Sequence, residues 1–153
     1  MSTLSETIRQ TDKSKVVATL RIVAGLPLVL FGAMHLIDPA PFRTILEAAG
    51  IPFVELNLIA APITELVAGL FLVTGYFARL GGLGGAVTML AAAWSTALLA
   101  GVEAAPEVPP MPLPLVVLAI STYVLWRGAG AWSLDGRTEQ PQARLEPATM
   151  QAE

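Results

Sequence analysis

Glu65 is the side chain in this sequence that is best placed to carry out chemistry. It lies about eleven residues from either end of an apolar run, residues 54–77. A carboxylate near the middle of a bilayer costs about 2.5 kcal/mol or more, so such a group is normally paired, protonated or placed in a polar cavity. Two interpretations follow. Glu65 either handles protons or anchors a ligand inside a helix bundle, or it is a protonated carboxyl that hydrogen-bonds to a neighbouring helix as structural glue.

Three further polar residues lie in the first apolar run, residues 16–38. Arg21 stands about five residues from its start, where the side chain either extends to the lipid headgroups or reaches toward Glu65. His35 and Asp38 are one turn apart near its end, a spacing that allows a hydrogen bond on one helix face. His35 has either a structural or interfacial role or a ligand contact on the outer face of the membrane. With one histidine and no cysteine in the sequence, a bis-histidine haem or a His/Cys metal site within one copy is excluded, and we predict no metal site.

Trp94 and a glycine cluster belong to the third apolar run, residues 80–101. Trp94 is predicted to pack against other helices or to join an interfacial aromatic belt, with lining of a ligand pocket as the alternative. The GGLGG of residues 81–85 follows a hairpin turn instead of a strand, so it does not fit a dinucleotide-binding motif. Gly81 and Gly85 instead form a small-xxx-small step that favours close helix packing.

Composition identifies the elements that must position these residues. Of 153 residues, 54% are hydrophobic and only 14% are charged, with the charges concentrated in tails and loops. A small soluble domain buries roughly 60 to 70% of its unfolded surface, which would leave much of this apolar surface in water. Nothing indicates a nucleic-acid surface. We therefore predict an all-α integral membrane four-helix bundle with short loops.

The predicted spans cover residues 16–38, 54–77, 80–101 and 111–126, within a domain of residues 16–135. The last span is the shortest, and prolines occupy its first turn, where missing amide donors are tolerated. Residues 1–15 are predicted to form a polar cytoplasmic segment and residues 136–153 a disordered cytoplasmic tail. Between the first two spans, residues 39–53 contain a short helical segment predicted to lie along the membrane surface, with one apolar face formed by Phe42, Ile45, Leu46 and Ala49.

Basic residues near span ends predict the orientation, because Lys and Arg are retained in the cytoplasm. Most of them fall on the side of the N-terminus, whereas the opposite side has Arg43 and two acidic residues: the first group is Arg9, Lys13, Lys15, Arg79, Arg127, Arg137 and Arg144, and the acidic pair is Glu103 and Glu107. Four spans then place both termini in the cytoplasm. The predicted location is the inner cell membrane.

Three segments together resemble the DoxX family of small four-helix membrane proteins. The first is RIVAGLPLVLFGAMH, beginning at Arg21. The second is PITELVAGLFLVTGYFARLGGL, residues 62–83, in which the matching positions are Pro62, Glu65, Gly69, Gly75 and Arg79. The third is GAGAWSLD, residues 128–135, which resembles a motif after the last helix and includes Gly128, Gly130, Ser133 and Asp135. Ser133 and Asp135 are predicted to cap backbone amides, a structural role favoured over catalysis.

The resemblance implies a four-helix inner-membrane protein, some of whose relatives are linked to thiosulfate:quinone oxidoreduction or to membrane oxidant-defence complexes. The leading hypothesis is a subunit or scaffold, not catalytic alone, that binds a quinone-like or other small apolar ligand and supports a redox-protein partner or a homo-oligomer. We expect no intrinsic cofactor, and quinone is the one candidate for a bound cofactor. The alternatives are a small permease unit that uses Glu65 for proton exchange, and an enzyme proper, for which no nucleophile–base pair, metal cluster or cofactor motif is visible.

Overall fold

The computed structural model describes residues 14–102 and 108–138, all of whose regular elements are helices. The helices are α1 (Lys15–Ile37), α2 (Pro39–Ala48), α3 (Val54–Thr74), α4 (Ala78–Leu99), α5 (Pro112–Arg127) and α6 (Leu134–Thr138). The predicted all-α four-helix membrane bundle is confirmed, with α1, α3, α4 and α5 as its four helices. Residues 136–138 of the predicted tail belong to α6, whereas its remainder and residues 1–13 lie outside the described residues.

Three of the four bundle helices, α1, α3 and α4, are long and apolar enough to cross a membrane. Helix α5 has 16 residues, or roughly 24 Å of helical rise, which is shorter than a hydrocarbon core of about 30 Å. Helix α3 ends at Thr74, three residues before the predicted end of the second span, because Gly75 takes a left-handed conformation with φ 68°. Helix α4 begins at Ala78, which leaves three residues for the turn.

Close contact between α1 and α3 depends on glycine. A Cβ atom at Gly32 would lie 2.7 Å from the Leu66 amide nitrogen and 3.1 Å from the Glu65 Cβ. In α4, Gly81 faces α3, whereas Gly82 and Gly85 face Ser121 of α5. Gly81 and Gly85 both allow the predicted close helix packing, but toward different helices, because Gly81 meets α3 whereas Gly85 meets Ser121 of α5 and Leu28 of α1.

Apolar side chains occupy both the interior and the outer surface. The buried core includes Leu28, Leu72 and Val124, while many large apolar side chains of α1, α3 and α4 face outward, among them Leu30 and Leu90. Such a surface is expected where lipid, not water, surrounds the helices.

Helix α2 lies across one end of the bundle, and Asp38 starts it. The Asp38 carboxylate accepts a hydrogen bond from the Ala40 amide at 3.2 Å, and Pro39 occupies the first helical position. The expected hydrogen bond between His35 and Asp38 is therefore replaced by this helix cap. Helix α2 is tied to α3 by two hydrogen bonds from Arg43 to the Glu55 carboxylate, which raise the pKa of Arg43 above its ordinary value. We call the end of the bundle that α2 lies across the α2 end. The opposite end, which carries Ser14, Gly75 and Gly128, is called the terminal end.

Candidate functional site

The structure pairs Glu65 with His35. Glu65 lies midway along α3 and is only 6% exposed, and its Oε2 atom is 3.3 Å from Nδ1 of His35. His35 is in the last turn of α1, where the close approach of the two helices at Gly32 brings it beside α3. The partner of the central carboxyl is thus the one histidine in the sequence, and not Arg21.

A cavity of about 330 Å³ adjoins this pair in the half of the bundle nearer α2. Its volume lies within the range of small-molecule sites, roughly 300 to 1,000 Å³. All four bundle helices contribute to its walls, and α2 covers it with Phe42, Ile45 and Leu46. The apolar part of the lining also includes Pro27, Leu28, Phe31, Met89, Val117 and Pro114.

Most of the polar side chains in this lining are already hydrogen-bonded to the backbone. The hydroxyls of Thr64, Thr88, Ser95 and Thr96 donate to carbonyls one turn earlier in their own helices, at 2.7 to 3.1 Å. The Asn57 amide group donates to the carbonyls of Pro52 and Phe53. Among the described lining residues, the imidazole and the carboxyl are therefore the polar groups best able to orient a ligand.

The protons of the pair determine what it offers to a ligand. A net charge buried away from water is costly, so the pair is most stable when it is neutral overall. Three patterns satisfy this condition: an imidazolium beside a carboxylate, a neutral imidazole whose Nδ1 accepts from a protonated carboxyl, and a neutral imidazole whose Nδ1–H donates to a protonated carboxyl. Nε2 of His35 carries a hydrogen in the first two patterns and is an acceptor in the third. In the first two patterns the site offers an N–H donor that suits a ligand with a hydrogen-bond acceptor.

Arg21 is buried, 1% exposed, and binds carbonyl oxygens at the terminal end. Its Nε donates to the Ala129 carbonyl at 2.7 Å, and its Nη1 donates to the carbonyls of Leu72 and Val73 at the end of α3. Its Nη2 donates to the Trp132 carbonyl at 3.1 Å. The predicted reach toward Glu65 is not observed, because the hydrogen bonds of the guanidinium run toward the terminal end, where the side chain is enclosed by backbone carbonyls.

Ser133 and Asp135 complete the terminal end as helix caps. The Asp135 carboxylate accepts from the amides of Phe77 and Ala78 at 3.0 and 3.2 Å, at the start of α4. The Ser133 hydroxyl accepts from the Gly136 amide at 3.1 Å and donates to the Gly130 carbonyl. A Cβ atom at Gly130 would lie 2.7 Å from the Ala18 amide nitrogen, so this close docking of residues 128–135 on α1 requires glycine there.

Trp94 lies apart from the cavity. Its side chain is 64% exposed on the outer face of α4, and it does not contribute to the cavity lining. The described residues contain no group of three or more acidic or histidine side chains able to hold a metal ion. The predicted site residues therefore separate into His35 and Glu65 at the cavity, Arg21 with residues 128–135 at the terminal end, and Trp94 on the outer surface.

Comparison with known proteins is consistent with this architecture. The sequence model of the DoxX family matches residues 16–98, which include Arg21, His35 and Glu65. The motif at residues 128–135 lies beyond the matched range. No curated protein and no solved structure matches the chain. Because the family match covers more than half of the sequence, the chain belongs to the DoxX family of membrane proteins.

Proposed function

We propose that the chain binds a small, largely apolar molecule that carries a hydrogen-bond acceptor, of which a quinone is the best example, in the cavity beside His35 and Glu65. The observation that supports this proposal is the polar pair at the wall of an otherwise apolar cavity of about 330 Å³. Ligand sites in proteins commonly combine an apolar lining with a few polar groups that fix orientation.

The residues present fit a quinone head group. Its carbonyl oxygens accept hydrogen bonds, and Nε2 of His35 supplies the donor in the two patterns of the pair that leave a hydrogen on this nitrogen. Apolar side chains of α4 and α5, such as Met89 and Val117, suit the ring and an alkyl tail. A bound quinone would carry electrons and protons to or from a partner protein.

Within this proposal the chain is a subunit or scaffold of a redox or oxidant-defence complex in the inner membrane, with the partner protein supplying the electrons. The chain has no cysteine, so it provides no thiol for electron transfer. The basic residues Lys15, Arg79 and Arg127 all lie toward the terminal end, whereas Arg43 lies at the α2 end. From the positive-inside rule we infer that the terminal end faces the cytoplasm and that the α2 end lies outside.

A small permease unit is the alternative, and the buried carboxyl at the wall of the cavity favours it, since ionisable groups within membranes often belong to proton relays. The two functions predict different behaviour of purified protein. A binding subunit retains a stoichiometric ligand or partner in mild detergent, whereas a permease unit catalyses proton-linked uptake into liposomes without one.

His35→Phe is expected to weaken the binding of decylubiquinone, a short-tailed quinone, about fivefold, because the substituted ring still stacks on Phe42 but the N–H donor is lost. A lost hydrogen bond of about 1 kcal/mol corresponds to about a fivefold change in affinity, since about 1.4 kcal/mol corresponds to a tenfold change. Equilibrium dialysis of the purified protein in detergent measures this change. Trp94→Phe, on the outer face, is the matched control and is expected to bind as the wild type does.

Two results would count against the proposal. The first is the absence of saturable decylubiquinone binding by the wild-type protein, combined with proton-linked uptake by liposomes that contain it. The second is equal decylubiquinone affinity of the wild type and His35→Phe, which would show that the pair does not contribute to the binding site.

A further inference from the structure

The corner between α1 and α2 places an aromatic side chain against His35. Asp38 is the one residue between the two helices, and its cap together with Pro39 starts α2 immediately. His35 is therefore in the last turn of α1 and Phe42 in the first turns of α2, on opposite sides of a tight corner. Their rings stack with centroids 4.3 Å apart and planes inclined by 14°.

This stack restricts the orientation of the imidazole. The torsion that rotates a histidine ring has broad minima, so backbone position alone does not fix the plane of the ring. Phe42 contacts one side of His35, and Phe31, one turn earlier in α1, lies at 6.3 Å with an inclination of 25°. Within the plane that these rings define, Nδ1 faces the Glu65 carboxyl at 3.3 Å.

We propose that Phe42 is a positioning residue, which holds the His35 ring in the plane that pairs Nδ1 with Glu65 and leaves Nε2 for the ligand. The proposal rests on the proposed function, since it assigns the control of that same site to α2. Phe42 also lines the cavity, but the action that distinguishes it from the other lining residues is on His35.

The location of Phe42 couples the pair to the cover of the cavity. Phe42, Ile45 and Leu46 all come from α2, and the hydrogen bonds from Arg43 to Glu55 hold α2 against α3. A displacement of α2 that admits a ligand would also separate Phe42 from His35. Opening of the cavity and release of the imidazole from its plane are then one event.

The single histidine makes the proposal directly measurable. In ligand-free protein prepared without a histidine tag, with ¹⁵N-labelled histidine and ¹³C-labelled glutamate, solid-state NMR detects a through-space correlation between the His35 Nδ1 and the Glu65 carboxyl carbon. Phe42→Leu is expected to abolish this correlation and broaden the imidazole ¹⁵N signals. Phe42→Trp, which keeps an aromatic face, is expected to retain the correlation.

Ile45→Ala is the matched control, because Ile45 lines the cavity from the same helix without a ring contact to His35. Circular dichroism melting checks that all three variants are folded. If Phe42→Leu is folded and keeps the wild-type correlation, or if Ile45→Ala loses it equally, Phe42 has no positioning role. Because the protein is ligand-free, this result is independent of whether decylubiquinone binds.

A double-mutant cycle adds a second readout for protein that does bind decylubiquinone. If Phe42 acts through His35, Phe42→Leu weakens affinity several-fold in the wild type but much less in the His35→Phe background. Equal losses in the two backgrounds would show that Phe42 acts as a packing residue alone.

Discussion

Arg21→Met is expected to lower the free energy of unfolding by about 3 to 5 kcal/mol, because each buried hydrogen-bonding group left without a partner costs about 1 to 3 kcal/mol. The guanidinium joins the end of α3 to residues 129–132, which follow α5. Methionine fills similar space but donates no hydrogen bond, so several buried carbonyls lose their partner. Arg21→Lys keeps the charge without the planar fork of donors, and an intermediate loss is expected.

Thermal unfolding in detergent, followed by circular dichroism and by the fraction of monodisperse protein, measures this effect. Arg127→Met makes the same chemical change at an exposed side chain near the same end of the bundle, and little change is expected. Equal stability of Arg21→Met and Arg127→Met would show that the terminal end does not depend on Arg21.

Ala61→Phe is expected to reduce decylubiquinone affinity by more than about a hundredfold, equivalent to about 2.8 kcal/mol. Ala61 lines the cavity from α3, and the added phenyl ring would occupy the volume proposed for the ligand. The same cavity gives the ring room, so the fold is expected to survive. Equilibrium dialysis measures the affinity, and thermal unfolding checks the fold.

Ala97→Phe is the matched control, because it adds the same ring at an exposed position of α4 outside the cavity lining. Its affinity is expected to equal that of the wild type. Undiminished binding by folded Ala61→Phe would place the ligand elsewhere on the protein.

The helices were predictable from the sequence because long apolar runs have few alternatives in a bilayer. The ends of α3 and α4 differ from the predicted spans by a few residues, since the tight turn at Gly75–Phe77 depends on local backbone conformation, with Gly75 and Phe77 both at positive φ. Hydropathy does not encode such a turn. The particular neighbours of Gly81 and Gly85 were not predictable for a related reason: which helix each glycine faces depends on the rotation of α4 about its axis.

Glu65 was identifiable as a special residue from its position alone, but its partner was not. Depth along separate helices does not reveal which side chains meet, and the spacing of His35 and Asp38 suggested a local pair. A competing signal was present in the sequence, because an aspartate directly before a proline is typical of a helix start. Assigning Asp38 to α2 would have left His35 available for another partner.

The contacts of Arg21 were beyond prediction for a different reason. Its acceptors are backbone carbonyls of residues 72–73 and 129–132, and every residue type carries a carbonyl. No side-chain pattern marks such a partner. The amide targets of Asp135, at Phe77 and Ala78, are hidden in the same way, although the presence of capping residues after α5 was predictable.

Photoaffinity labelling tests the central claim, a ligand site beside His35 and Glu65, most directly. The wild-type protein is illuminated with an azide-bearing analogue of decylubiquinone, and the labelled residues are identified by mass spectrometry of peptides. The predicted result is labelling of cavity residues, such as Phe42, Ala61 and Met89, that unlabelled decylubiquinone suppresses. Labelling confined to the outer groove between α3 and α4, at Val67, Phe71 and Leu80, would contradict the claim.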